Sequence, residues 1–217
     1  MIIQKVGIIG AGTMGNGIAQ ACAVVGIPVV MVDISEAAVA KGIATVSGSL
    51  DRLLKKEKIT EADKAAALSK IQGSTQYEDL MSADLVIEAA TENQDLKVKI
   101  LKQLDSMLAP EVIIASNTSS ISITQLAAVT TRADRFIGMH FFNPVPMMAL
   151  VEIIRGLQTS DETHDAVHAL ATALGKTPIT VKNAPGFVVN RILVPMINEA
   201  LFGSVVTSPL ALLHWPT

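Results

Sequence analysis

Short apolar segments alternate along the chain with longer stretches in which apolar residues recur every three or four positions. The first apolar segment ends at Gly10, and later ones include Ile27–Val32, Leu85–Ala90 and Val112–Ser116. Short apolar runs of this kind predict buried strands, and the periodic stretches between them predict helices. Strands that alternate with helices are typical of α/β proteins. We therefore predict a mostly parallel, doubly wound sheet.

One insertion interrupts the alternation between the second and third predicted strands. Ser35 can cap a long helix over Glu36–Lys58, and Thr60 can cap a shorter helix that reaches about Lys70. Two consecutive helices without a strand between them predict a helical hairpin. A short strand is then predicted within Gln72–Tyr77.

The pattern changes again after Asn183. Phe187–Leu201 is an apolar helical stretch that contains Pro195, and the tail from Phe202 to Thr217 has no clear period. We therefore expect one doubly wound domain over residues 1–183 and the start of an all-α domain over residues 184–217.

The turn after the first strand carries glycines in G-x-G-x-x-G spacing. The first glycine allows a sharp turn, the second leaves the backbone open to a pyrophosphate, and the third lets the following helix approach the sheet. The free N–H groups at the start of that helix would face the phosphate. The residues predicted to form this site are Gly10, Ala11, Gly12, Thr13, Met14 and Gly15.

Asp33 gives the glycine turn the context of a Rossmann-type nucleotide site. It follows the second strand, eighteen residues after Gly15, where a carboxylate can bind both adenosine ribose hydroxyls. Ile34 and Ser35 follow it rather than an arginine, so a 2′-phosphate would meet an unpaired negative charge. NAD is therefore favoured over NADP, and a turn without a ligand is the alternative.

Composition excludes several classes of protein. The net charge is −3 and no basic stripe is present, which argues against a nucleic-acid partner. No segment is apolar for long enough to predict a membrane span, and the first residues run directly into a strand, without a signal peptide. The single cysteine, Cys22, suits the core of a cytoplasmic protein. No metal site is predicted.

Polar residues that could carry chemistry follow the later strands. Thr91–Asn93 and Asn117–Ser120 lie where ligands of open α/β sheets bind, and Glu88 inside a buried strand must meet a ligand or a partner. His140 could take a hydroxyl proton, because imidazole exchanges protons near neutral pH. Glu152, among apolar neighbours, could orient it. A satisfied buried polar pair is the alternative.

These features together resemble the L-3-hydroxyacyl-CoA dehydrogenase family, and short bacterial 3-hydroxybutyryl-CoA dehydrogenases in particular. The resemblance covers about residues 3 to 201. The segments that carry it are Val6–Gly15, Glu88–Asn93, Ala115–Ser120, Gly138–Pro146 and Pro185–Arg191.

The resemblance implies a role for individual residues. His140 would be the catalytic base, Glu152 its dyad partner, and Ser119 and Asn190 would bind the substrate oxygen at the reacting carbon. NAD would be held, beside the glycine turn, by Asp33, Glu92, Lys97, Ser119 and Asn143. Ser49 and Lys56 on the helical hairpin would contact coenzyme A.

The implied activity is the reversible oxidation of short-chain (S)-3-hydroxyacyl-CoA with NAD, as in fatty acid beta-oxidation or butanoate metabolism. Family members continue with further helices that complete the cleft and form a homodimer, whereas Gly203–Thr217 resembles none of them. Most of that helical domain is therefore expected to be missing, and dimerisation of this chain is in question. The alternatives are an NAD- and CoA-binding fragment without turnover and a dehydrogenase of another 3-hydroxy acid.

Overall fold

A computed structural model describes residues 2–206, and for residues 204–206 it describes the course of the backbone alone. The strands of this part of the chain are β1 Val6–Ile9, β2 Val29–Val32, β3 Ile71–Ser74, β4 Leu85–Glu88, β5 Ile113–Ser116, β6 Phe136–Phe141, β7 Leu150–Arg155 and β8 Thr177–Lys182. The helices are α1 Thr13–Val24, α2 Glu36–Leu54, α3 Glu61–Ser69, α4 Gln94–Met107, α5 Ile123–Ala127, α6 Asp161–Ala173 and α7 Val189–Val206.

Within residues 2–206 the eight strands form a single sheet in the order β3-β2-β1-β4-β5-β6-β7-β8. Strands β1 to β6 are parallel, β7 pairs antiparallel with β6, and β8 is parallel to β7. The predicted mostly parallel, doubly wound sheet is confirmed. Since β2 and β4 lie on either side of β1, the chain reverses its direction across the sheet there. The crevice at such a reversal is where open α/β sheets bind ligands.

Apolar side chains cover both faces of the sheet. Ile18 and Cys22 of α1 and Val167 of α6 belong to one buried cluster, and Leu101 of α4 and Leu126 of α5 belong to another. Burial raises the pKa of the Cys22 thiol to about 12, which fits the predicted core residue. The sheet is thus packed on both faces, and the carboxyl ends of its parallel strands remain open along one edge.

The helical hairpin forms as predicted, but its first helix is shorter. Helix α2 ends at Leu54 rather than Lys58, because Glu57 adopts a left-handed backbone (φ 53°) and Lys58 N–H bonds back to the Leu53 carbonyl. That reversal lets the chain enter α3, which Thr60 opens with a capping box. A small apolar core of Val46, Leu50 and Ala67 joins the two helices of the hairpin and packs them on Ala23 of α1.

The bounds predicted for the third strand were also wrong. Strand β3 covers Ile71–Ser74, and a short 3₁₀-helix begins at Tyr77 and ends at Ser82. The Ser74 hydroxyl turns the chain by accepting a bond from Gln76 N–H at 2.9 Å.

The last helix differs from the prediction at both ends. Phe187 is not helical: its φ is 51°, and its ring is buried, so α7 begins at Val189. The helix continues to Val206, so the first residues of the predicted tail are helical. Residues 207–217, which include His214, lie outside the described residues. Large apolar side chains of α7 are exposed: Ile192, Val194, Met196, Ile197 and Phe202.

Candidate active site

A cleft of about 580 Å³ opens at the carboxyl ends of the parallel strands. It lies between the turn after β1 on one side and the end of β6 on the other. The predicted site residues that it brings together are Gly12, Thr13, Met14, Glu92, Lys97, Ser119, His140, Asn143 and Asn190. Residues that are far apart in the sequence therefore share one cavity.

The glycine turn forms one wall of this cleft, and each glycine has a different structural reason. Gly10 has a φ of 100°, a conformation that favours glycine. A Cβ at Gly15 would lie 1.7 Å from the Gly10 carbonyl oxygen, so only glycine lets α1 approach the turn. A Cβ at Gly12 would meet nothing within 4 Å, and no side chain caps α1 there. The open helix start fits the pyrophosphate of NAD.

Asp33 extends the glycine turn toward a neighbouring cavity of about 360 Å³. Its carboxylate accepts bonds from Ala11 N–H at 2.6 Å and from Ile34 N–H at 2.7 Å. The lining of this cavity also includes Lys41 and Thr45 of α2, which sequence reasoning did not select. Their spacing of four residues on one helix was the available signal.

His140 and Glu152 face each other across the antiparallel pair β6 and β7. The strand register pairs the two residues directly, and His140 Nδ1 lies 2.7 Å from Glu152 Oε2. Glu152 is fully buried, and its other oxygen accepts bonds from Val188 and Val189 N–H, each at 2.9 Å. With Nδ1 engaged, Nε2 is the nitrogen that His140 can offer to the cleft.

Two aromatic rings hold the His140 imidazole in place. The Phe142 ring lies 4.5 Å from it and the Phe187 ring 5.7 Å, measured between ring centroids. Phe187 reaches this position because its left-handed backbone turns the chain at the start of α7. The start of α7 thus supports both members of the His140–Glu152 pair.

Ser119 is held at the cleft by Glu92. Oxygen Oε1 of Glu92 accepts bonds from Ser119 N–H at 2.6 Å, from Ser119 Oγ at 2.7 Å and from Thr118 Oγ1 at 3.0 Å. Partial burial opposes ionisation of Glu92, but the bonds from Ser119 and the charge of Lys97 outweigh it and lower its pKa. Asn190 Nδ2 donates to the Ser119 carbonyl at 3.4 Å, which brings this pair together.

Lys97 is almost fully buried beside the cleft rather than extended into solvent. Its ammonium lies 2.6 Å from Glu88 Oε2 and 3.5 Å from Glu92 Oε2. Glu88 therefore meets a partner side chain, which was one of the two outcomes predicted for it. Sequence reasoning did not identify Lys97 as that partner, because the ion pair joins a strand end to the first turns of the next helix.

Ser49 and Lys56 lie together in a second cavity of about 540 Å³. Arg52 and Lys58 line the same cavity from the hairpin, and the chain from Asn143 to Met147 lines it from the other side. Several cations around one cavity favour an anionic ligand. Arg52 was not selected from the sequence, although it follows Ser49 by three residues on the same helix face.

The other described histidines lie outside these cavities. His164 and His168 are on α6 and partly buried, and His164 Nε2 lies 2.8 Å from Thr180 Oγ1. Among residues 2–206, no group of His, Cys, Asp or Glu is arranged to hold a metal ion. In the same part of the chain, no helix is long and apolar enough to cross a membrane.

Comparison with known proteins places the chain in a family. The family model for the NAD-binding domain of 3-hydroxyacyl-CoA dehydrogenase matches residues 5–184. A 3-hydroxybutyryl-CoA dehydrogenase of Bradyrhizobium diazoefficiens is 51% identical over 201 residues, which are 93% of this chain and 69% of that protein. The mitochondrial hydroxyacyl-coenzyme A dehydrogenase of Rattus norvegicus is 47% identical, over 93% of this chain and 66% of its own length.

A solved structure gives the same result. The crystal structure of (S)-3-hydroxybutyryl-CoA dehydrogenase PaaH1 from Ralstonia eutropha is 76% identical and superposes with a TM-score of 0.93, over 95% of this chain and 74% of that one. The sequence spans about 70% of the length of the 3-hydroxybutyryl-CoA dehydrogenases of Bradyrhizobium diazoefficiens and Clostridioides difficile. From its glycine turn to the start of α7, this chain belongs to the 3-hydroxyacyl-CoA dehydrogenase family.

Proposed function

We propose that this chain is an NAD-dependent dehydrogenase that reversibly oxidises short-chain (S)-3-hydroxyacyl-CoA, such as 3-hydroxybutyryl-CoA, to the 3-ketoacyl-CoA. Fatty acid beta-oxidation and butanoate metabolism both contain such a step. The observation that carries the proposal is the carboxylate-held His140 on the opposite side of one cleft from an open glycine turn. A base and a dinucleotide site in one cavity are what hydride transfer from an alcohol requires.

His140 is the proposed base. When bound, NAD supplies the acceptor for the hydride from the carbon that bears the substrate hydroxyl. As the hydride leaves carbon, Nε2 of His140 takes the hydroxyl proton, and Glu152 stabilises the imidazolium through Nδ1. In the reverse direction His140 returns the proton to the ketone oxygen.

Ser119 and Asn190 are the proposed ligands of the substrate oxygen. Both line the cleft with His140, and the Asn190 amide bonds to the Ser119 backbone. Hydrogen bonds to this oxygen favour the transition state, in which negative charge develops on it. In the structure the Ser119 hydroxyl donates its single proton to Glu92, so this proton turns from Glu92 to the substrate oxygen when the substrate binds, while the Ser119 N–H stays bonded to Glu92.

The remaining ligands follow from the cavities. For NAD we propose the glycine turn with the pyrophosphate, Asp33 with the adenosine ribose, and Glu92, Lys97, Ser119 and Asn143 around the rest of the cofactor. For coenzyme A we propose Ser49 and Lys56, since an ammonium beside a phosphate is a favourable charge pair. Lys97 would act with its charge already shared with Glu88.

We also propose the domain division at residue 183, with α7 as the first helix of a second, helical domain. The family match to residues 5–184 supports it. The proposed partner is an acyl-CoA substrate and the proposed compartment the cytoplasm, where Cys22 would stay reduced. Neither nucleic acid nor a membrane is a proposed partner.

A second candidate function is binding of NAD and acyl-CoA without turnover. The exposed apolar face of α7 favours it, because the helix that carries Asn190 has few neighbours over the described residues. A poorly supported helix places Asn190 less accurately, and small misplacements at a reacting centre reduce rates strongly.

One assay separates the two functions. Acetoacetyl-CoA is added to the chain with NADH, and the loss of NADH absorbance is followed beside the His140→Gln variant. Turnover that His140→Gln reduces by about 10²- to 10⁴-fold, with NADH affinity within a few-fold of wild type, supports the dehydrogenase. Binding of NADH without turnover supports the second function.

The matched control is His164→Gln, which changes a half-buried histidine outside the cleft. It should leave turnover within about twofold of wild type, as expected for changes away from the site. Equal loss of activity in both variants would contradict the role of His140, and loss of NADH binding with His140→Gln would contradict its restriction to proton transfer.

A further inference from the structure

Glu88 is a buried carboxylate that the mechanism does not use. It ends β4, is fully buried and does not line the cleft. Its oxygens accept bonds from Lys97 Nζ at 2.6 Å, Ser116 Oγ at 2.8 Å and Ala90 N–H at 3.0 Å. Glu88 is therefore engaged by three groups of this chain.

Glu88 holds the ammonium of Lys97 in a fixed place. Lys97 is only 1% exposed, and an isolated ammonium at that depth would be strongly disfavoured. The nearest carboxylate is Glu88, and the next, Glu92, is 3.5 Å away. The position of the charge therefore depends on Glu88, which a strand end holds rigidly.

Glu92 connects the Lys97 ammonium to Ser119 at the cleft. The Glu92 side chain is 45% exposed and sits between the Lys97 ammonium on one oxygen and both Ser119 donors on the other. A half-exposed carboxylate with free rotamers would not by itself hold a serine in one place. Attraction to a buried, immobile ammonium restricts it.

We propose that Glu88 is a positioning residue for Ser119, and that it acts through Lys97 and Glu92. This inference rests on the proposed function, in which the Ser119 hydroxyl binds the substrate oxygen. A buried ion pair contributes little net stability compared with apolar residues of similar size, so positioning gives this one a reason to exist. The connected elements are β4, α4 and the loop after β5.

The test is the variant Glu88→Gln, studied without cofactor or substrate. Loss of the Glu88 charge leaves Glu92 as the nearest counter-ion of the Lys97 ammonium, which draws that carboxylate away from Ser119. Hydrogen exchange of the Ser119 amide, measured by NMR, should become about tenfold faster or more, while the Ile114 amide of β5 stays protected. An unchanged Ser119 exchange rate overturns the proposal.

Asp105→Asn is the matched control. Asp105 pairs with the buried Arg132 at 2.8 Å, away from the cleft, so this variant also breaks a buried ion pair. It should leave the Ser119 amide unchanged. Faster Ser119 exchange in both variants would show a general loosening of the fold and overturn the positioning role.

A second variant covers the case in which Glu88→Gln does not fold. Glu88→Gln/Lys97→Met removes both buried charges, a change that buried ion pairs often tolerate. Ser119 exchange should again accelerate, because the contact with Glu92 is lost. Since neither measurement needs turnover, failure of this inference is distinct from failure of the proposed dehydrogenase activity.

Turnover provides an additional readout if the chain is active. Glu88→Gln should lower kcat by about 10- to 100-fold, as expected for a misplaced catalytic group. In the Ser119→Ala background the same change should cost less than about twofold, because its target is gone. Independent, multiplicative losses would overturn the proposal.

Discussion

The two walls of the cleft differ in the atoms that form them. The wall after β1 is backbone: a left-handed Gly10, an uncapped helix start at Gly12 and a close approach at Gly15. The opposite wall is side chain: the His140 imidazole, held by Glu152 and two aromatic rings. The first wall, the glycine wall, depends on the lack of side-chain atoms. The second, the histidine wall, depends on side-chain atoms held in fixed positions.

This difference determines how each wall fails. A methyl group added to the glycine wall should clash either with the bound cofactor or with the backbone that α1 packs against. Replacing a single ionisable group of the histidine wall should prevent proton transfer, because that transfer depends on the group. The first kind of damage should reduce binding or stability, and the second should reduce turnover.

The largest expected effect comes from Glu152→Gln. An amide cannot stabilise the imidazolium of His140, so kcat should fall by about 10²- to 10⁴-fold while NADH affinity stays within a few-fold. Stopped-flow kinetics and fluorescence titration of NADH measure the two quantities. Glu162→Gln, which changes an exposed carboxylate of α6, serves as the control and should behave as wild type.

If Glu152→Gln weakened NADH binding as much as turnover, the two walls would not have separate roles in binding and in turnover. Glu152 also accepts the N–H groups of Val188 and Val189, so thermal unfolding should be recorded with the kinetics. The glutamine oxygen can still accept those bonds, which is why the amide is preferred to alanine.

The next effect comes from adding a methyl group to the glycine wall at two positions. Gly15→Ala places a Cβ against the Gly10 carbonyl and should cost about 1–3 kcal/mol of folding stability. Gly12→Ala meets open space, so the free protein should unfold at the wild-type temperature. Its cofactor affinity should fall by about 5- to 150-fold, because the methyl group occupies the pyrophosphate space.

Calorimetry of both glycine variants, with and without NAD, measures their unfolding temperature and its increase on NAD binding. It thereby distinguishes a clash with the packing of α1 from a clash with the cofactor. The comparison breaks down if Gly12→Ala binds NAD as wild type does. In that case the proposed pyrophosphate site lies elsewhere in the cleft.

The smallest expected effect comes from Asp33→Ala. The variant removes one charged acceptor for the ribose, so NADH affinity should fall by about tenfold, while kcat at saturating cofactor stays near wild type. Isothermal titration measures the affinity. Asp33 also accepts the Ala11 N–H, so Asp33→Asn, which keeps an acceptor, is the paired variant. An unchanged dissociation constant in Asp33→Ala removes the ribose assignment.

Much of the glycine wall could be predicted from the sequence because its signals are local. Gly10, Gly12 and Gly15 specify a turn by their spacing alone, and Asp33 follows one strand later. The doubly wound sheet followed from the same local patterns. The antiparallel direction of β7 did not, since an apolar strand has the same composition in either direction.

The histidine wall depends on contacts between residues that are distant in the sequence, and no rule of residue spacing predicts such contacts. His140 and Glu152 were predicted as partners, but their pairing depends on the register of β6 and β7. The burial of Lys97 against Glu88 was missed, because a lysine on a helix is usually exposed. Phe187 was predicted as helical, since nothing local indicates a left-handed phenylalanine.

The cross-strand position of His140 and Glu152 has a consequence for engineering. Their spacing is set by strand pairing, whereas Asn143–Met147 in the connection between the two strands lines the cavity that holds Ser49 and Lys56, with Met147 exposed. Substitutions at the exposed Met147 that keep the length of this connection should therefore leave the geometry of the proton-transfer pair unchanged. Directed evolution can thus alter the proposed coenzyme A cavity at this position without rebuilding the His140–Glu152 pair.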